Sequence, residues 1–155
     1  MEFRNATVDD YPIVANLFYQ IFEKHLHART DIYHDGNPLS KEVYEQFMTE
    51  ENQFVLLCTV DEAAAGMCHY KLMDTPESSI LNRRSIVYIE DFCVDKAFRR
   101  KGIGKALIQS VIEHAKQLKA DAVELSVWAL NKEAEAFYRS IGLQPRSTRM
   151  EYILP

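Results

Sequence analysis

Arg99-Arg100-Lys101-Gly102-Ile103-Gly104 packs three cationic side chains and two glycines into six positions, a composition suited to holding an anion. Glycines at 102 and 104 let the backbone turn tightly and expose successive N–H groups. A helix starting there aims the positive end of its dipole at the same spot, and Arg99, Arg100 and Lys101 add the charge-assisted donors that suit a pyrophosphate. A basic turn with no ligand has the same composition, so the motif by itself leaves both readings open. A Walker A loop would need glycine where Arg99 stands and a hydroxyl residue where Ala106 stands, and a dinucleotide fingerprint would need glycine where Leu107 stands. Five histidines, His25, His27, His34, His69 and His114, have no metal-ligand spacing on any expected helix, so no metal is implied. Cys93 sits in an apolar run without an adjacent histidine, where a thiol is inert rather than nucleophilic.

Immediately before the loop, Ile86 to Val94 reads as a strand buried on both faces that nevertheless carries two adjacent carboxylates, Glu90 and Asp91. Leu107, Ile108, Val111, Ile112, Ala115 and Leu118 form a helical stripe after the loop, and Ala122 to Trp128 reads as another strand. Strand, crossover helix and strand predict a parallel pair within a mixed sheet. Upstream, Thr7 with Asp10 resembles a capping box ahead of a first helix bearing Ile13, Val14, Leu17, Phe18, Ile21 and Phe22. Lys24 to Pro38 reads as a polar, aromatic-bearing loop able to line a site. Ser40 caps a second helix ending near Glu50, and two strands, Phe54 to Val60 and Ala64 to Leu72, meet at a tight Asp61-Glu62 hairpin. Asp74 to Arg84 is a polar connector. A short helix from Lys132 to Ile141 runs between Asn131 as N-cap and Gly142 as C′ residue, and Met150 to Leu154 reads as a closing strand.

The loop resembles the Arg/Gln-x-x-Gly-x-Gly/Ala signature of the Gcn5-related N-acetyltransferase (GNAT) superfamily, matched by Arg99, Gly102 and Gly104. Val94-Asp95 leading into Phe98-Arg99 resembles the end of that family's fourth strand, and Asn131, Ala136-Phe137-Tyr138 and Ile141-Gly142-Leu143 resemble its C-terminal coenzyme A motif. Many members have glycine directly after the first arginine, where this chain has Arg100. The resemblance implies one α/β (α+β) domain over residues 1–155. Its mixed, mostly antiparallel sheet would have about seven strands, with strands four and five parallel and splayed, and about four flanking helices. It also implies acetyl-CoA as cosubstrate, its pyrophosphate held by Arg99, Arg100, Lys101, Gly102, Ile103, Gly104 and Lys105. The pantetheine arm would meet the backbone of Phe92, Cys93 and Val94 and the side chain of Asn131.

Acetyl transfer to an amine needs the ammonium deprotonated and the departing thiolate protonated. Glu90 is favoured as base and Asp91 as amine contact. Adjacent strand residues point to opposite faces, so the two share a pocket only if a bulge redirects one. Pairing with a nearby Arg or Lys is the structural alternative for either. Tyr138 matches the family's general acid, although its helical spacing with Phe137 and Ile141 also fits a core aromatic. Tyr88-Ile89-Glu90-Asp91-Phe92 resembles the acidic strand of polyamine-type acetyltransferases, which implies a small polyamine or diamine acceptor drawn to a negative pocket. A protein α-amine or lysine, and a sensor that binds acetyl-CoA without turnover, are the other readings.

A net charge of −5 excludes a broadly basic nucleic-acid-binding surface. An odd count of three cysteines, and no apolar stretch long enough to span a bilayer, point to a cytoplasmic protein without a membrane partner. The resemblance implies a homodimer.

Overall fold

The computed structural model describes residues 1–154. Strand β1 (Glu2–Asn5) leads into a single 3₁₀ turn at Val8–Asp10, where the Asp10 carboxylate accepts the Thr7 backbone N–H at 2.8 Å and the Thr7 hydroxyl at 3.0 Å. This is the expected capping box. Helix α1 (Tyr11–Ala28) follows, with Val14, Leu17 and Phe18 buried. It runs through Lys24–Ala28, part of the stretch expected as loop. Lys, Leu and Ala are good helix formers and no Gly or Pro interrupts them, so polarity alone does not end the helix. Lys24 and His25 therefore sit on its last turns. Helix α2 (Lys41–Thr49) starts at Ser40, whose hydroxyl accepts the Val43 N–H at 3.3 Å.

Strands β2 (Gln53–Val60), β3 (Ala63–Asp74), β4 (Ser85–Val94) and β5 (Ala122–Leu125) join β1 in one sheet of order β1-β2-β3-β4-β5. The first four are antiparallel neighbours, and β4 pairs with β5 in parallel. Asp61 and Glu62 turn the β2–β3 hairpin with φ of 49° and 64°, the paired positive values of a type I′ turn. The sheet has five strands among the described residues rather than about seven. Met150–Leu154 is not a strand: Met150, Tyr152 and Leu154 are almost fully exposed, so no face of the segment is buried to set a register. β5 likewise stops at Leu125 instead of Trp128.

Helix α3 (Ile103–Gln117) packs Leu107, Ile108 and Val111 on one face of the sheet, against Cys68, Tyr70, Val87 and Ile89. On the other face α1 and α2 bring Val14, Leu17 and Tyr44 against Val55, Met67 and Cys93. Helix α4 (Lys132–Ser140) lies beside the α3 face, with Phe137 and Tyr138 against the same core. No helix among the described residues is long and apolar enough to cross a membrane.

Candidate functional site

Two irregularities in β4 build the site. Pairing with β3 runs His69 to Asp91 and then Tyr70 to Ile89, so Glu90 has no partner opposite and forms a bulge. The extra residue reverses the alternation. Val87 and Ile89 face α3 before it, whereas Phe92 and Val94 face α3 after it and Cys93 faces α1 and α2. Glu90 and Asp91 consequently emerge on the same face. Glu90 pairs with Lys71 and Asp91 with His69, and these partners are two residues apart on an unbroken stretch of β3.

The second irregularity is the splay. Parallel pairing with β5 ends at Ile89 and Leu125, while β4 continues to Val94. The edge of β4 from Glu90 to Val94 thus has no strand neighbour on that side, and backbone polar groups there are open to a ligand. At its end, Arg99 Nε donates to the Val94 carbonyl at 3.1 Å.

The glycine loop opens α3 from that point. Gly102 adopts φ 81° as N-cap, and the first helical bond runs from the Ala106 N–H to the Gly102 carbonyl at 3.1 Å. The N–H groups of Gly102, Ile103, Gly104 and Lys105 are therefore the four that a helix start leaves without internal partners. Ile103 contributes only backbone, since its side chain is buried. Arg100, where many members of the resembled family carry glycine, is left-handed at φ 63°. A Cβ on Gly104 would stand 3.2 Å from the Phe137 ring, 3.4 Å from the Phe92 ring and 3.4 Å from a Val94 methyl, so α3 approaches β4 and α4 too closely for a large side chain there. Lys101 Nζ lies 5.1 Å over the Phe98 ring.

On α4, the Asn131 side-chain oxygen accepts the Ala134 N–H at 3.2 Å, as a cap, and the Lys24 ammonium at 3.1 Å, which ties α1 to α4. Tyr138 packs against Phe137 at 5.3 Å and Phe92 at 6.1 Å between ring centroids. Burial raises its phenol above the usual 10, so it stays protonated at neutral pH. The same burial pushes the Cys93 thiol up to about 11, which keeps it from acting as a nucleophile.

Asp91 belongs to a chain of polar groups that the sequence did not reveal. His69 Nδ1 lies 3.0 Å from its carboxylate, His69 Nε2 lies 2.8 Å from Gln53 Oε1, and Phe47 stacks on the imidazole at 4.2 Å. A histidine within the apolar β3 run was the available signal, since a buried polar ring needs partners on both nitrogens. Beyond the carboxylates, His25 on α1, Tyr33 on the following loop and Trp128 after β5 bring three rings within 6.3 Å of one another, and Arg29 lies 5.4 Å over Trp128. With Lys24 and Asn131 these residues line one cleft. The sequence shows the aromatic loop but not this meeting, because the three rings come from three separated segments.

Residues 16–143 match the model of the acetyltransferase (GNAT) family. An uncharacterized N-acetyltransferase of Methanocaldococcus jannaschii is 29% identical over 146 residues, 92% of this chain and 60% of that protein, so this chain spans three fifths of that relative's length. A probable spermine N(1)-acetyltransferase of Bacillus subtilis subsp. natto is 31% identical over 80 residues, 51% of each chain. The crystal structure of a mutant Bacillus halodurans protein superposes with a TM-score of 0.96 at 34% identity, covering all of both chains. An aminoglycoside 6'-N-acetyltransferase of Acinetobacter haemolyticus shares the fold, with a TM-score of 0.76 at 19% identity over 100% of this chain and 99% of that one.

Proposed function

Because this chain belongs to the acetyltransferase (GNAT) family, whose members are acetyl-CoA-dependent N-acetyltransferases, we propose that it moves an acetyl group from acetyl-CoA directly to the primary amine of a small polyamine-like or diamine-like acceptor. The observation that carries this reading is the Glu90 bulge, which turns both carboxylates to one face beside the open edge of β4. Two acidic groups side by side favour a cationic acceptor. The Bacillus relative bearing the name spermine acetyltransferase points the same way over half of the chain.

The chain's own groups fit acetyl-CoA. The N–H groups of Gly102 to Lys105, with the Arg99, Arg100 and Lys101 side chains, suit its pyrophosphate. The open edge from Phe92 to Val94 offers its pantetheine amides the hydrogen bonds that β5 does not. Asn131 keeps its amide N–H groups for the same arm, since only its oxygen is engaged in the cap. When bound, acetyl-CoA supplies an acetyl group activated as a thioester. Glu90 and Asp91 draw in and hold the ammonium, and Tyr138 protonates the departing sulfur. Glu90, favoured by the sequence as base, is engaged by the Lys71 ammonium and must exchange that partner to accept a proton.

Three buried free thiols, Cys58, Cys68 and Cys93, accord with a reducing compartment, and the reading places the protein in the cytoplasm. Homodimer formation is part of the proposal and is read by sedimentation equilibrium. The deciding experiment is thiol release from acetyl-CoA over a panel of diamines, polyamines and N-terminal or lysine peptides. Diamines or polyamines should give the highest kcat/KM. A preference for peptides would replace the acceptor class, and tight acetyl-CoA binding without turnover on any amine would make the protein a sensor.

A further inference from the structure

Extension of α1 to Ala28 carries His25 to the helix's last turn, above the cleft that also reaches Asn131. Its imidazole stacks on Tyr33 with centroids 5.7 Å apart and 25° between planes, and the Trp128 ring closes a second side at 6.3 Å. No hydrogen bond engages its ring nitrogens among the described residues, and neither nitrogen is sealed from solvent. Of the three candidate bases it is the one whose accepting atoms carry no protein partner among the described residues: Glu90 is paired with Lys71, and Asp91 with His69.

We propose that His25 takes the first proton from the acceptor ammonium held by Asp91 and Glu90, which makes it a catalytic base supplied by α1 rather than by the sheet. This rests on the acetyltransferase reading above. The charged and titratable groups facing His25 are Asp91 from β4, Lys24 on its own helix, Arg29 just beyond it and Tyr33 from the loop, with Glu133 of α4 reached through Lys24 at 3.6 Å. Burial lowers its proton affinity below the ordinary 6.5, Asp91 works against that and Lys24 adds to it. The ring is therefore neutral at pH 7, the form that accepts a proton. Burial favours the neutral form of an entering ammonium while Asp91 and Glu90 favour the charged form, so its proton must be taken by a base.

The proton count closes. One ammonium proton passes to the imidazole and leaves a neutral amine, whose nitrogen forms the bond to the acetyl carbon as the carbon–sulfur bond breaks. The second amine proton replaces the one Tyr138 gives to sulfur. The imidazolium then releases its proton to solvent, so each turnover frees one proton along with the amide and the thiol.

The test joins an NMR titration of the His25 ring in the free protein to pH profiles of kcat/KM for wild type, His25→Gln and Glu90→Gln. His25 should titrate below 6.5, and Asp91→Asn should move it lower still, since the carboxylate is what holds it up. Wild-type kcat/KM should rise through an inflection that His25→Gln abolishes, with a fall of about 100-fold and unchanged affinity for acetyl-CoA. Added imidazole should restore part of the rate to His25→Ala, which guards against reading a folding defect as lost chemistry. An inflection that survives His25→Gln, or one that disappears in Glu90→Gln, would overturn the assignment. A wild type that is active while His25→Gln matches it sinks His25 alone, whereas a wild type that acetylates no amine sinks the reading beneath it.

Discussion

Tyr138 lies against Phe92 and Phe137, and the burial that raises its phenol keeps the donor loaded at neutral pH. The same shift weakens its drive to release the proton, so its value as an acid comes from being positioned and protonated rather than from being strong. Tyr138→Phe keeps the ring and its packing. Turnover in thiol-release assays is expected to fall about 100-fold or more, with acetyl-CoA affinity by calorimetry unchanged; full activity would return Tyr138 to the core. Lys71 offers a second test at this scale. Removing its ammonium in Lys71→Met leaves Glu90 free to meet the acceptor, so KM for a diamine is expected to drop about threefold, the size of a half-exposed ion pair of under 1 kcal/mol. The carboxylates were legible as chemistry in the sequence, whereas their partners were not, because Lys71 and His69 reach them across a strand pairing and not along the chain.

At the scale of elements, the bulge, the splay and the glycine loop each depend on backbone conformation. The loop was readable because its signals are local: Gly102 takes a positive φ and Gly104 stands where a side chain would strike Phe137 and Phe92. Gly104→Val should therefore push α3 from β4 and α4, and calorimetry should show acetyl-CoA binding weakened at least 10-fold, with stability reduced by about 2 kcal/mol, as overpacking typically costs. Arg100 is the counter-case. A non-glycine residue in the left-handed region carries about 1 kcal/mol of strain, and Arg100→Gly removes it while giving the unfolded chain more freedom. A small net gain in urea midpoint should accompany a few-fold loss in acetyl-CoA affinity, since one guanidinium is gone. The longer α1 and the absent closing strand show where local signals mislead: a polar run without helix breakers stayed helical, and a largely apolar run without a surface to cover formed no strand.

For the whole molecule, Arg4 and Asp10 join the first strand to the start of α1 through a bidentate pair at 2.7 and 2.6 Å. The guanidinium first, and the Thr7 N–H after it, hold the nearly buried carboxylate well below the usual range. A depressed carboxylate contributes stability that is complete above its unfolded value near 3.8 and is lost as pH falls toward the folded value. Asp10→Asn is thus expected to cost about 2 kcal/mol at pH 7 and progressively less as pH falls below 3.8, read as the difference in urea midpoints. By itself the sequence determined the helix caps, the hairpin turn, the anion loop and the family resemblance, because each is written in residues a few positions apart, where propensity and spacing act directly. Tertiary structure alone decided that Glu90 forms a bulge and shares a face with Asp91, that Lys71 and His69 answer them, and that His25 meets Tyr33, Trp128 and Asn131 at one cleft. Those outcomes follow from strand register and from the packing of α1 on the sheet, which sum contacts over the whole chain and leave no mark on any short stretch of it.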